Sequence, residues 1–122
     1  MTSPIILRAD DGVSWWRDPA RLALHLESPD IEAGLYSAWD ADGQVLQVLP
    51  LHPTVRKPFL GMATLSVTAG RLVETGIYRP DELQEVIREH LTEVLPSMPD
   101  DVPDLRAAIK MLCQSQSPGD LS

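Results

Sequence analysis

Three histidines, one cysteine and eighteen carboxylates are the side chains of this 122-residue chain best able to carry chemistry, and their spacing limits what they could do. Asp40-Ala41-Asp42-Gly43 contains the D-x-D-G fragment of a calcium loop. Aligned on Gly43, such a loop needs an oxygen ligand at position 38 and a bidentate carboxylate at position 49. Those positions hold Ala38 and Leu49, so the EF-hand reading fails. Asp40 and Asp42 read instead as turn formers, because Asp tolerates left-handed geometry and bonds its own backbone; the functional alternative is an acidic contact at a hairpin tip. His25, His52 and His90 have no second His or Cys at ligand spacing, so a zinc site would have to be assembled by the fold alone and no metal is expected.

Nucleophile and phosphate chemistry leave equally little trace. There is no G-x-S-x-G, and Cys113 has no local His partner and reads as structural. Glycines 34, 43, 61, 70 and 76 are too scattered for a phosphate-cradling loop. No cofactor is expected. His90 is the most suggestive single group. At 100° per residue it falls near Val86 and Val94 in an apolar stripe, while Glu82, Glu85, Glu89 and Glu93 gather on the other side. It reads as a histidine at the core edge, or as a titrating group in a pocket with Tyr36 or Tyr78 near its polar end.

Charge is more informative than any motif. The formal charge is −8, which argues against nucleic acid and against an anionic membrane surface as partners. Residues 9–50 and 81–122 each carry a net charge of −6, whereas residues 51–80 carry +3, concentrated around Arg56-Lys57. Like charges at i,i+4, such as Glu85 and Glu89, destabilise an isolated helix by a few tenths of a kcal/mol. Their accumulation invites a basic partner. Trp15 and Trp16 are adjacent, so in an extended segment they point to opposite sides and one is expected at the surface as an interface anchor.

The elements that must position these groups are punctuated by eleven prolines. Ile5 to Arg8 is β-prone and closed by the turn composition Asp10-Asp11-Gly12. Asp18-Pro19 has the form of a helix start and Ser28-Pro29 that of a stop, giving a short helix over 19–27, although Leu22, Leu24 and Leu26 also alternate as in a strand. Strands are predicted at 33–39 and 44–50 around Asp42-Gly43, and at 60–68 and 71–78 around Ala69-Gly70. Leu83, Val86, Ile87, Leu91, Val94 and Leu95 recur at helical steps over 81–95, with Asp81 and Gln84 in the spacing of a capping box. Leu105, Ala108, Ile109 and Leu112 mark a second amphipathic helix from about Pro103. Residues 114–122 are expected to form a disordered tail beyond a single domain of residues 1–113.

The fold class expected is α+β: a four- to five-stranded antiparallel meander with a short N-terminal helix and two C-terminal amphipathic helices packed on one face. A lone cysteine, no basic-then-apolar leader and no long apolar run point to a soluble, cytoplasmic protein. The function these features favour is a small acidic, non-catalytic module that holds a basic protein in the manner of an inhibitor or immunity protein. Its contacts would be Trp15, Trp16, Asp40, Asp42, Glu82, Glu85, Glu89 and Glu93. Two alternatives stand beside it: a small-molecule or enzymatic domain with a pocket between the sheet and the 81–95 helix, and a homodimeric accessory subunit.

Overall fold

The computed structural model describes residues 1–26, 31, 34–50, 58–59, 62–63, 70–95 and 102–119. Strands β1 (Ile5–Ala9) and β2 (Gly12–Trp16) form a hairpin closed by the two residues Asp10-Asp11. Asp18 then caps α1 (Pro19–His25), its carboxylate accepting from the Ala20 amide at 2.9 Å with proline in the first turn. That cap and the proline decide for helix against the period-two pattern of the leucines. Strands β3 (Ser37–Trp39), β4 (Gln44–Pro50), β5 (Pro58–Phe59), β6 (Met62–Ala63) and β7 (Gly70–Tyr78) follow. Helices α2 (Pro80–Val94) and α3 (Leu105–Ser115) complete the chain.

The α+β class holds, with five antiparallel strands in the order β2-β1-β3-β4-β7. One strand expectation is corrected, and another lies largely outside the described residues. Residues 12–16, read only as extended, are a full strand at the sheet edge. The strand expected at 60–68 is described only at Met62–Ala63, where it pairs with β5; β7 pairs with β4 instead. The basic stretch around Arg56-Lys57, His52 included, lies outside the described residues.

The sheet is covered on both sides. Ile6, Val13 and Trp39 face Leu83, Val86, Ile87 and Leu91 of α2 and Ala108 and Leu112 of α3. Ile5, Leu7, Trp16, Ala38 and Leu46 face Leu22 of α1, with Leu26 and Ile31. The two C-terminal helices share one face as expected, and α1 lies on the other. Each fully buried Leu or Ile in these layers contributes about 1.5–3 kcal/mol. Trp39 carries the one buried side-chain nitrogen without a hydrogen-bond partner among the described residues. An orphan donor costs about 1–3 kcal/mol, which burial of an indole, at about 4–6 kcal/mol from its area, outweighs.

Two capping details differ from expectation. The N-cap of α2 is Arg79, with Pro80 in the first turn and no side-chain cap. Gln84 does not close a capping box; its amide donates to the Val102 carbonyl at 2.9 Å and ties α2 to the segment entering α3. Residues 114–119, expected as a disordered tail, belong to the domain: α3 runs to Ser115, and Gln116 bonds back to the sheet.

The β3–β4 turn is organised by Asp40, which is 1% exposed. Its carboxylate accepts from the backbone amides of Asp42 and Gln44, each at 2.9 Å, from the Gln44 side chain at 2.9 Å and from the Thr2 amide at 3.3 Å. Gly43 closes the turn at φ 84°, and an added Cβ would stand 2.6 Å from Pro80 Cα, so glycine is required twice over. Burial pushes the Asp40 carboxyl upward, but the hydrogen bonds from Gln44, Thr2 and Asp42 outweigh it and hold the group below its ordinary 3.8. A lowered folded pKa gives stability that is full above the unfolded value and is lost as pH falls through the folded one. Asp40→Ala is therefore expected to cost about 3 kcal/mol in urea unfolding at pH 7, since it strands several buried donors. Asp40→Asn should flatten the loss of stability that the native chain shows on acidification below about pH 4.

Candidate functional site

The two-residue β1–β2 turn places Asp10 and Asp11 side by side in solvent, and Gly12 supplies the φ of 134° with which β2 begins. Across from it, α2 presents Val86, Glu89, His90 and Glu93 on successive turns of one face. Between them lies a groove of about 320 Å3 whose walls include Asp10, Asp11, Glu89 and Glu93, with Arg8 as the one Lys or Arg among the described residues lining it. A second groove of about 490 Å3 opens on the α1 side of the same turn, where Leu7, Trp16 and Leu35 meet Ser14, His25 and Tyr36. The two share Ala9 to Val13 and His90.

The His90 ring is oriented by Gln116. The Gln116 side-chain amide donates to the Val13 carbonyl at 2.9 Å, so its oxygen is the atom 2.9 Å from His90 Nε2. Nε2 must therefore carry a proton, and the neutral ring has its lone pair on Nδ1. That edge faces Gly12, where an added Cβ would sit 3.8 Å from Nδ1. The Gln116 carbonyl also accepts from Trp15 Nε1 at 2.9 Å. One residue after α3 thus fixes a strand, an indole and an imidazole together.

Not all the residues singled out from the sequence are available to a partner. Trp16 is 5% exposed; its ring packs beside His25, centroids 5.0 Å apart, and its Nε1 donates to Ser14. Trp15 packs against the opposite core. A sheet covered on both faces sends adjacent side chains to two different cores, which leaves Trp16 nearly buried and Trp15 partly so. Asp40 is interior, and Asp42, although exposed, accepts from the Thr2 hydroxyl at 2.6 Å. Glu85 is ion-paired with Arg88, whose hydrogen bonds and charge hold its carboxyl below the usual range.

Glu82, Glu89 and Glu93 remain exposed, and no ion pair is formed by them among the described residues. Tyr36 and His90 line the larger groove, but Tyr78 does not; it is exposed at the end of β7. The larger groove lies at the turn end of the β1–β2 hairpin, and the smaller one runs between that hairpin and Val86, Glu89, His90 and Glu93 of α2. Asp10, Asp11 and His25 were not among the predicted site residues, and the signal for the first two was their place in a turn opposite an acidic helix. No group of three or more candidate metal ligands converges among the described residues. Burial pushes the Cys113 thiol up, which makes it a poor nucleophile at neutral pH.

Compared with models of protein families, with curated proteins and with solved structures, the chain matches none. Chemically, the turn region offers acceptors and negative charge over a partly aromatic floor, and suits a hydrogen-bond-donating cation. The tautomer assignment is directly checkable: long-range 15N–1H correlation at neutral pH should show His90 protonated at Nε2. In Gln116→Ala the population should relax from a single tautomer toward the mixture of an unconstrained imidazole, with a stability loss of about 1–3 kcal/mol from the stranded partners.

Proposed function

We infer that this chain is a small acidic protein-binding module that docks a basic protein, with its contact face centred on the β1–β2 turn and the neighbouring side of α2. The observation that carries this reading is the convergence of Asp10, Asp11, Glu89 and Glu93 on one groove, with Arg8 as the only Lys or Arg lining it among the described residues. Glu82 extends the same negative field along α2. Such a field raises the rate of encounter with a positive surface by about 10–1,000-fold and orients it before contact. An inhibitor-like or immunity-like role and a cytoplasmic setting belong to the same proposal. Among the described residues, no helix is long and apolar enough to cross a membrane.

A second reading, binding or conversion of a small molecule, is favoured by the meeting of Tyr36, His25 and His90 in the larger groove. The two readings separate by experiment. A thermal-shift screen with metabolites raises the melting point for a pocket ligand and leaves it unmoved for a protein-binding module. For the protein partner, capture at low salt followed by kinetics should give an association rate that falls about tenfold or more between low and high ionic strength. Glu89→Gln with Glu93→Gln should slow association severalfold, whereas Glu85→Gln should change it less than about twofold, because Arg88 already matches that charge. A captured partner whose on-rate ignores both salt and Glu89→Gln with Glu93→Gln would rule out electrostatic docking at this face.

A further inference from the structure

We propose that the larger groove is a subsite for one arginine side chain of the basic partner, seated over the aromatic floor with its guanidinium directed at the β1–β2 turn. This rests on the protein-binding reading and specifies what the partner presents there. The volume of about 490 Å3 falls within the span of about 300–1,000 Å3 in which small ligand groups are enclosed. Its lining separates into two zones. Leu7, Leu35 and the edge of Trp16 make an apolar floor, joined by the flat rings of His25 and Tyr36. Asp10 and Asp11 stand at the turn, both exposed and without an ion pair among the described residues.

Each zone excludes a class of ligand. The carboxylates repel anions, so phosphates, nucleotides and acidic peptides are disfavoured there. A bare metal ion is disfavoured because no group of three or more candidate ligands converges among the described residues. What remains is a cation with a substantial apolar or flat body. Between the two cationic side chains the rings choose arginine: its guanidinium is planar, weakly hydrated, stacks on aromatic faces and donates in its own plane, whereas the lysine ammonium is a compact, strongly hydrated point charge. His90 adds to the fit. With Nε2 engaged by Gln116, its Nδ1 is an acceptor beside Gly12, at the junction of the two grooves.

The site is preformed. Trp16 is held by His25 on one side, and Gly119 lies against its ring so closely that an added Cβ would come within 2.4 Å. A side chain entering the groove therefore meets walls already fixed by the fold, which lowers the ordering cost of binding.

The probe is N-acetyl-arginine amide, titrated into the full 15N-labelled chain at millimolar concentrations, with the lysine and the uncharged, isosteric citrulline amides as comparisons. The expected result is saturable movement of the Gly12, Ser14 and Leu35 amide signals with arginine, while Thr75 and Ala107 stay in place. Lysine should bind about two- to fivefold more weakly and citrulline should produce no saturable shift. Asp10→Asn with Asp11→Asn keeps residues that a two-residue turn accepts and should weaken arginine about fivefold. Tyr36→Leu, which retains apolar bulk, should erase the preference for arginine over lysine. The proposal is overturned if arginine gives no saturable shift, if citrulline matches it, or if it binds unchanged when Asp10 and Asp11 are both Asn. Arginine failing while a captured partner still associates in a salt-dependent, Glu89- and Glu93-dependent manner would discard the subsite and leave the docking face intact.

Discussion

Burial of both faces of β1 is the constraint on which the rest of the structure depends. Ile5, Ile6 and Leu7 are consecutive, yet all three are essentially inaccessible to solvent. Successive side chains of a strand point in opposite directions, so such a run is possible only if helices cover the sheet on both sides. α2 and α3 supply one cover and α1, with Leu26 and Ile31, the other. The adjacent Trp15 and Trp16 obey the same rule on the edge strand: one ring goes to each core. Trp16 is nearly buried as a result and Trp15 partly so, with only the edge of Trp16 lining the larger groove.

That two-sided packing also sorts the carboxylates. α2 buries Leu83, Val86, Ile87 and Leu91, so its glutamates are forced to the outer side. Asp40 is engaged inside the molecule, where it satisfies four donors from three residues and joins the chain's first residues to the β3–β4 turn. Glu74 is engaged by the Gln44 side chain and the Met1 amine, and Glu85 by Arg88. Internal pairing leaves the formal −8 unchanged but decides which carboxylates face outward, and Asp10, Asp11, Glu89 and Glu93 gather on one groove at the turn end of the hairpin. Placement gives it meaning: Asp10 and Asp11 come from a turn more than seventy residues away from Glu89 and Glu93 in sequence, and only the hairpin register brings them opposite one another.

Much of the fold was legible in the residues because local signals and tertiary packing agree there. Asp18-Pro19, Asp42-Gly43 and the three- and four-residue spacing from Leu83 to Leu91 each name an element, and each element formed. The misses have specific causes. Gly12 to Trp16 alternates weakly, since Ser14 is half-buried and both tryptophans are apolar, so its strand character was visible only beside β1. Gln84 stands at capping-box spacing from Asp81, but the helix starts a residue earlier and the side chain serves Val102 instead. The residues after Cys113 look like a tail by composition; no local pattern reveals that Gln116 has donors and acceptors waiting on Trp15, Val13 and His90. The site was legible only in part for the same reason. Glu89, Glu93, Tyr36 and His90 could be named singly, whereas their partners at the turn required the register.

The two grooves flank the turn end of the β1–β2 hairpin and share its residues Ala9 to Val13. Along the body of the sheet the covering side chains, Leu83, Ile87 and Leu91 on one face and Leu22 on the other, are fully buried. At the turn the strands end, His90 on one side and His25 on the other reach past the last paired residues, and Ala9 to Val13 forms the partition between two open volumes. Gln116 then fixes His90 and Trp15, and Gly119 rests on Trp16, so residues following α3 complete walls begun by the first hairpin. Recognition at this end is therefore coupled to closure of the whole domain. Loosening the segment after α3 removes the orientation of an acceptor and the backing of an aromatic floor together, while leaving every carboxylate of the acidic face in place. Charge sets how fast a partner arrives, and the order imposed by Gln116 and Gly119 sets how well it is held.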